Sequence, residues 1–261
     1  MTRSVGVVVP AYRPDVDRLA AYIDALTETL APETVRVELD APTPEVVEAT
    51  SSLPATVNVS PVRRGKGAAV TAGFEALSTD VRSFVDADGS TPAESFAAVL
   101  APVLDDDADL SVGSRRHPEA TVTAHQTLAR RRLGDGFAWL AKRLLDAELY
   151  DYQCGAKAMT AEAWTDVRGH LYEPGFAWDV ELVAVAAASN HALAEVPVEW
   201  EDRPGSTVSP VRTSFDLARS LLSARHRAKL IREDRLHALL DARRSPTPSL
   251  VERLGIDPVE E

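Results

Sequence analysis

The sequence predicts an α/β fold: a mostly parallel sheet flanked by helices. Two patterns carry that prediction. Short apolar runs rich in β-branched residues alternate with longer amphipathic stretches, and turn residues close each run. A third observation says where such a sheet would work. The apolar run Val81–Val85 ends in Asp86-Ala87-Asp88-Gly89, at the strand end where open α/β sheets place their ligands. With 261 residues, 45% of them hydrophobic, the chain can bury a sizeable core as one large domain or as a domain with an appendage.

Val5-Gly6-Val7-Val8-Val9 suits a strand buried on both faces. Pro10 to Pro14 ends it, and Asp15 can cap an amphipathic helix running to about Leu30. Val35–Leu39 is the second strand, stopped by Asp40-Ala41-Pro42-Thr43-Pro44; a helix starts near Glu45, and Thr56–Val59 is a short third strand. Arg63-Arg64-Gly65-Lys66-Gly67 leads into a helix to about Leu77. Its glycines permit close approach, a helix amino end attracts anions and Lys66 adds a point charge, yet an ordinary basic loop reads the same way. A Walker A loop is excluded, because Gly67 stands where Ser or Thr is needed and no glycine lies five residues before Gly65.

Asp86 and Asp88 are separated by one residue, so in an extended segment both aim at one side. Two carboxylates completed by substrate phosphates are the usual way Mg²⁺ or Mn²⁺ is held; a solvated turn is the alternative. Thr91-Pro92 begins a helix to about Leu104, and Asp105-Asp106-Asp107 reads as a solvated loop. Leu110–Gly113 is a strand delivering Ser114-Arg115-Arg116, and a long helix follows from about Ala124 to Leu145, opened by Arg130-Arg131-Arg132. These five arginines in an anionic protein suit an anionic substrate, or helix pairing with nearby acids. Tyr150 to Lys157 holds too many polar groups for a simple strand, and Cys154 within it reads as packed rather than reactive. Asp179 and Glu181, at the start of an alanine-rich helix, are either acids favoured by the helix dipole or a general base. Val196–Trp200 is the last strand, followed by a loop carrying Arg203. None of the six histidines pairs with another at metal-ligand spacing.

The net charge of −12 argues against a nucleic-acid binder. Arginine far outnumbers lysine, and Asp, Ala, Val and Thr are abundant, as on a surface adapted to high salt or in the product of a GC-rich genome. Cys154 is the only cysteine, so neither a disulfide framework nor a cysteine zinc site is available. Residues 4–12 lack signal-peptide features and no apolar run reaches about 18 residues; a cytoplasmic protein is the expectation.

Taken in order, Val-Pro-Ala-Tyr at 9–12, the strand ending in Asp40, Arg-Gly-Lys-Gly at 64–67, Asp-Ala-Asp-Gly at 86–89, Gly-Ser-Arg at 113–115 and Asp-Tyr-Gln-Cys-Gly-Ala-Lys at 151–157 make a set. Pro-Val-Glu-Trp at 197–200 and Gly-Ser at 205–206 close it. Over residues 5–208 the chain resembles family-2 glycosyltransferases of the GT-A (nucleotide-diphospho-sugar transferase) fold, in the branch of dolichyl-phosphate β-glucosyltransferases and dolichyl-phosphate mannose synthases. Gln153-Cys154-Gly155-Ala156-Lys157 is similar to the glucosyl-transferring members in particular.

The resemblance implies that Pro10, Tyr12 and Asp40 line a nucleotide-base pocket, with Asp40 accepting from a ring nitrogen, and that Lys66 lies near the nucleotide. It implies Asp86 beside the ribose and metal, and Asp88 as the main ligand of Mg²⁺ or Mn²⁺ on the diphosphate. Arg115, Arg131 and Arg203 would meet the phosphates of donor and acceptor, and Gln153, Gly155 and Lys157 would shape the floor of the sugar site. Four positions depart from the family pattern: Arg13-Pro14 replaces Asn-Glu, Ala41 replaces a second aspartate, and Thr207 replaces a lysine.

The reaction implied is attack of a lipid phosphate oxygen on the anomeric carbon of a nucleotide sugar, UDP-glucose or GDP-mannose, in a metal-dependent inverting transfer with glucose favoured. A saccharide hydroxyl acceptor, or sugar-nucleotide binding without turnover, are the alternatives. Residues 1–208 are expected to form the catalytic domain and 209–261 a basic amphipathic helical extension. Residues 209–244 hold nine Lys/Arg against four Asp/Glu, a net +5 that leaves −17 on the rest. Such helices suit the anionic inner face of a membrane, holding the protein peripherally beside a polyprenyl (dolichyl) phosphate; packing on the catalytic domain or on a second subunit is the other reading.

Overall fold

The computed structural model describes residues 3–123, 128–201, 210–235, 237, 240 and 247–255, with 128–135 and 210–218 described by their backbone alone. Strands β1 (Val5–Tyr12), β2 (Thr34–Asp40), β3 (Thr56–Ser60) and β4 (Val81–Val85) form the first half of the sheet. Helices α1 (Val16–Leu30), α2 (Pro44–Thr50) and α3 (Lys66–Glu75) connect them. All pairings in this half are parallel. In β1, Val7 and Val9 face the layer formed by α1 and the following helix α4 (Ala93–Leu104), whereas Val8 faces the layer containing α3. Burial on both faces is why the strand reads as an unbroken apolar run. Helix α1 begins where expected: the Asp15 side chain accepts from Arg18 N at 3.1 Å, and Leu19, Ile23 and Leu26 fall on one buried stripe.

The second half departs from the sequence reading. Strand β5 (Leu110–Ser114) is followed by β6 (Thr121–Thr123), α5 (Leu128–Leu144) and β7 (Ala156–Thr160). Strand β7 runs antiparallel between β4 and β5, giving the order β3-β2-β1-β4-β7-β5-β8 with β8 at Leu193–Pro197. Residues 150–155, with their many polar groups, form no strand, and β7 begins at Ala156, at the end of that segment. Its Ala-Lys-Ala-Met pattern hides a strand because Lys157, fully buried, has its charge matched by a residue 22 positions away. The stretch expected as one strand over 196–200 is divided into β8 and β9 (Glu199–Glu201). Val198 between them donates its N–H to Ser114 O, and β9 pairs with β6 in a separate two-stranded sheet.

Helices α6 (Ala161–Val167) and α7 (Trp178–Ala188) complete the α3 side of the sheet. Helix α8 (Pro210–Ile231) packs there too: Leu221, Ala224 and Ala228 are buried against the core beside Phe137, Leu140 and Leu144 of α5. A four-residue helix α9 (Leu250–Arg253), closed by a Ser249/Glu252 capping box, buries Leu250 in the same cluster. The expected domain boundary at 208 falls outside the described residues. Among the described residues no helix is long and apolar enough to cross a membrane.

Candidate active site

Because β1, β2 and β4 are parallel, their carboxyl ends meet at one edge of the sheet; antiparallel β7 begins there. Asp86 follows β4, and its N–H donates to Gly155 O at 2.9 Å. Gly155 is required by its neighbour: a Cβ there would lie 1.8 Å from Asp86 Oδ2. Asp88 accepts from Ser90 N at 2.9 Å through Oδ1, and Gly89 takes the turn with φ of 65°.

Lys66, the first residue of α3, reaches under this turn. Gly65 before it has φ of 98°, and a Cβ at Gly65 would stand 2.4 Å from Pro174 O, which accepts from Ala68 N. The Lys66 ammonium lies 2.9 Å from Asp86 Oδ1 and 2.9 Å from Asp179 Oδ2. The other oxygen of Asp179 is 2.9 Å from the Lys157 ammonium, which also donates to Cys154 O at 2.7 Å. Burial disfavours the Lys66 cation, but Asp179 and Asp86 outweigh it and raise its pKa. Asp86 is pushed above its ordinary carboxylate value by its low-dielectric surroundings, with Lys66 opposing and Asp179 and Asp88 adding, although 45% of its side chain is exposed.

Two further ion pairs flank these residues. Asp40, expected to accept from a base, is buried and accepts from Arg64 N (2.7 Å), Gly65 N (3.0 Å) and Arg64 Nε (2.7 Å). Arg64 also donates to Glu38 at 2.9 Å, and Glu38 accepts from Arg36 and Asn58. Sequence reasoning passed over Glu38. The period-2 spacing of Arg36, Glu38 and Asp40 on one face of β2 was the available signal. On the other side, Asp151 takes Arg115 Nε at 2.7 Å and Arg115 Nη2 at 3.0 Å, a bidentate pair that leaves Nη1 outside it. Burial alone would raise Asp151; Arg115 and the Gln153 N–H overcome it and hold the carboxyl well below the usual range. Arg115 also lies 5.6 Å from the Trp200 ring centroid.

The structure therefore brings Lys66, Asp86, Gly155 and Lys157 together, with Asp88 on the adjoining turn. Pro10 and Tyr12 end β1, and the Tyr12 ring carries Arg63 at 4.2 Å and Arg13 at 5.2 Å. Gln153 is partly exposed beside Asp151. Arg131 lies on the part of α5 described by backbone alone, and Arg203 lies outside the described residues. Asp179, open between dipole acid and general base from sequence, is the hub of two lysine pairs. Glu181 accepts from Tyr172 N and Glu173 N and pairs with Arg227 at 3.0 Å. Cys154 is buried and its thiol is pushed up to about 12 by burial, so it is packed rather than reactive.

The donor set fits a divalent cation of the Mg²⁺/Mn²⁺ kind. Among the described residues, Asp86 and Asp88 each keep one carboxylate oxygen without a protein donor. Among the described residues no group of three or more His, Cys, Asp or Glu side chains could enclose an ion. An ion there needs water and ligand oxygens, as these ions prefer.

Residues 6–161 match the family model described as glycosyl transferase family 2. The glycosyltransferase AglD of Haloferax volcanii is 26% identical over 228 residues, 84% of this chain and 36% of that protein. The dolichyl-phosphate beta-glucosyltransferase of Dictyostelium discoideum is 31% identical over 168 residues, 63% of this chain and 51% of its own. The match thus spans about a third to a half of these relatives. Among solved structures, mannosyl-3-phosphoglycerate synthase from Rubrobacter xylanophilus superposes with a TM-score of 0.63 at 17% identity, covering 94% of this chain and 78% of that one. Glucosyl-3-phosphoglycerate synthase from Mycobacterium tuberculosis, in complex with Mn²⁺, UDP and glucosyl-3-phosphoglycerate, gives 0.58 at 18% identity, covering 85% and 80%.

Proposed function

The chain belongs to glycosyl transferase family 2 and has the GT-A fold, and from that premise we propose that it transfers a hexose, glucose favoured, from a nucleotide sugar to a polyprenyl phosphate. The observation that carries the choice of acceptor is the state of Asp179. Each of its oxygens is 2.9 Å from a lysine ammonium, so both are already engaged within the protein. A hydroxyl acceptor must lose a proton as it attacks. A phosphate monoester is ionised near neutral pH and needs no base. The names of the similar dolichyl-phosphate glucosyltransferases support the same acceptor.

In this reading Asp86 and Asp88 hold Mg²⁺ or Mn²⁺, as the Mn²⁺ and UDP in the M. tuberculosis enzyme support. When bound, the ion supplies Lewis-acid neutralisation of the charge on the departing diphosphate. Pro10 and Tyr12 border the base, with Asp40 ordering the 64–65 turn beside it. Lys66 approaches the diphosphate, and Gln153, Gly155 and Lys157 underlie the sugar. Arg115, Arg131 and Arg203 position the phosphates, guanidinium suiting paired oxygens.

Membrane contact is part of the proposal. Leu222 of α8 and Trp139 of α5 are 60% and 64% exposed, and Arg219, Lys142 and Arg143 are exposed on the same two helices. Apolar side chains among cations suit the anionic face of a membrane, while Leu221, Ala224 and Ala228 of α8 pack on the core. Radiolabelled UDP-glucose or GDP-mannose with Mg²⁺ and dolichyl phosphate tests the reaction. A chloroform-extractable labelled product is expected; a water-soluble glycan, or binding without product, refutes it.

A further inference from the structure

Four alternating charges run from the surface into the core: Asp86, Lys66, Asp179 and Lys157. The inner end is closed. Asp179 and Lys157 are buried, and Lys157 is also tied to backbone oxygens of Cys154 (2.7 Å) and Tyr152 (3.4 Å). The outer end is half open, because the Asp86 side chain is 45% exposed while that of Lys66 is only 8% exposed. As a set the four side chains sum to zero charge. A divalent cation arriving alone at Asp86 would therefore meet a carboxylate already neutralised by an ammonium at 2.9 Å, and would bring two like charges together on one group.

We propose that Lys66 is a tethered counter-ion that blocks Asp86 against a free divalent cation and passes to the donor diphosphate when nucleotide binds, with Asp179 as the positioning residue that holds the ammonium in place through the exchange. Lysine suits this exchange: its ammonium is a point charge on a flexible stem and can trade one anionic oxygen for another without a fixed fork geometry. The second bond, to Asp179 Oδ2, keeps the cation in the site while the first is released. Nucleotide and cation then bind cooperatively, each favouring the state of Asp86 that the other requires. This rests on the assignment of Asp86 and Asp88 as cation ligands.

The test is Mn²⁺ binding to the full chain, read by the electron paramagnetic resonance of free Mn²⁺, with and without UDP, alongside thermal melting. For the wild type, weak binding of Mn²⁺ alone and a marked tightening by UDP are expected. Lys66→Met should bind Mn²⁺ alone roughly tenfold more tightly, from removal of one like charge, and should gain less from UDP. Asp179→Asn leaves Lys66 with Asp86 as its one carboxylate partner and should weaken Mn²⁺ binding alone. A folded Lys66→Met with unchanged or weaker affinity for Mn²⁺ alone overturns the inference while UDP-dependent binding in the wild type keeps the ligand assignment intact. Failure of the wild type to bind Mn²⁺ even with UDP overturns both. Should Lys66→Met not fold, unchanged or tighter Mn²⁺ binding by Asp179→Asn overturns the inference on its own.

Discussion

Two acid–base pairs stand at the same edge of the sheet and behave differently. Asp151 and Arg115 meet through two parallel hydrogen bonds, and the carboxyl is held far down. Asp86 and Lys66 meet through one contact, the lysine is shared with Asp179, and the carboxyl is pushed up. The first pair is saturated, and opening it would strand a buried charge. The second is under-coordinated, so a ligand can replace one partner. Charge alone does not mark a reactive group; what marks it is an ion pair in which one member already has another partner waiting.

The sharpest way to break this contrast is beside the exchangeable pair, at the second proposed cation ligand. Asp88→Asn, which keeps shape and removes a ligand charge, should lower kcat for hexosyl transfer by about three orders of magnitude, the several kcal/mol that Lewis-acid stabilisation supplies, with little change in melting. Steady-state assays at saturating donor check it. Gly155→Ala comes next. The new Cβ would overlap Asp86 Oδ2, displacing that carboxylate by about an ångström, and should lower kcat about 10²-fold. An unshifted kcat would mean that the position of Asp86 is not critical.

At the saturated pair the expected effect is on stability. Asp151→Asn should destabilise by about 3 kcal/mol in chemical denaturation at pH 7, because it leaves the Arg115 guanidinium without its buried partner. The sign of its pH dependence follows from the depressed carboxyl. Stability from this group is fully present above the unfolded value near 3.9 and is lost only as pH falls towards the lower folded value. The gap between wild type and Asp151→Asn should therefore stay level from pH 7 to about 5 and narrow below about 4. A gap that narrows between pH 7 and 5 would place the pair in the exchangeable class. The smallest effect concerns Cys154, a member of neither pair. Its buried thiol should stay unmodified by iodoacetamide at pH 8 and react on unfolding.

Much of this was legible in the chain. The parallel half of the sheet was readable because β1, β2, β3 and β4 are short apolar runs bounded by Pro, Asp and Gly. The Asp86/Asp88 turn was readable from i, i+2 spacing, and Arg64-Gly65-Lys66-Gly67 from its position before a helix. Strand β7 was not readable, because the buried charge of Lys157 breaks the pattern by which strands are recognised. Asp179 was left open because its two partners lie 113 and 22 residues away.

The sequence by itself determined the α/β class, the carboxylate pair at the end of β4 and the family, since these depend on local periodicity and on blocks of adjacent residues. The tertiary structure alone decided that β7 turns back between β4 and β5, that Asp151 closes on Arg115, and that Asp179 divides its two oxygens between two lysines. Those are choices among partners that no local pattern ranks: which buried charge neutralises which depends on distances set only once the sheet is assembled.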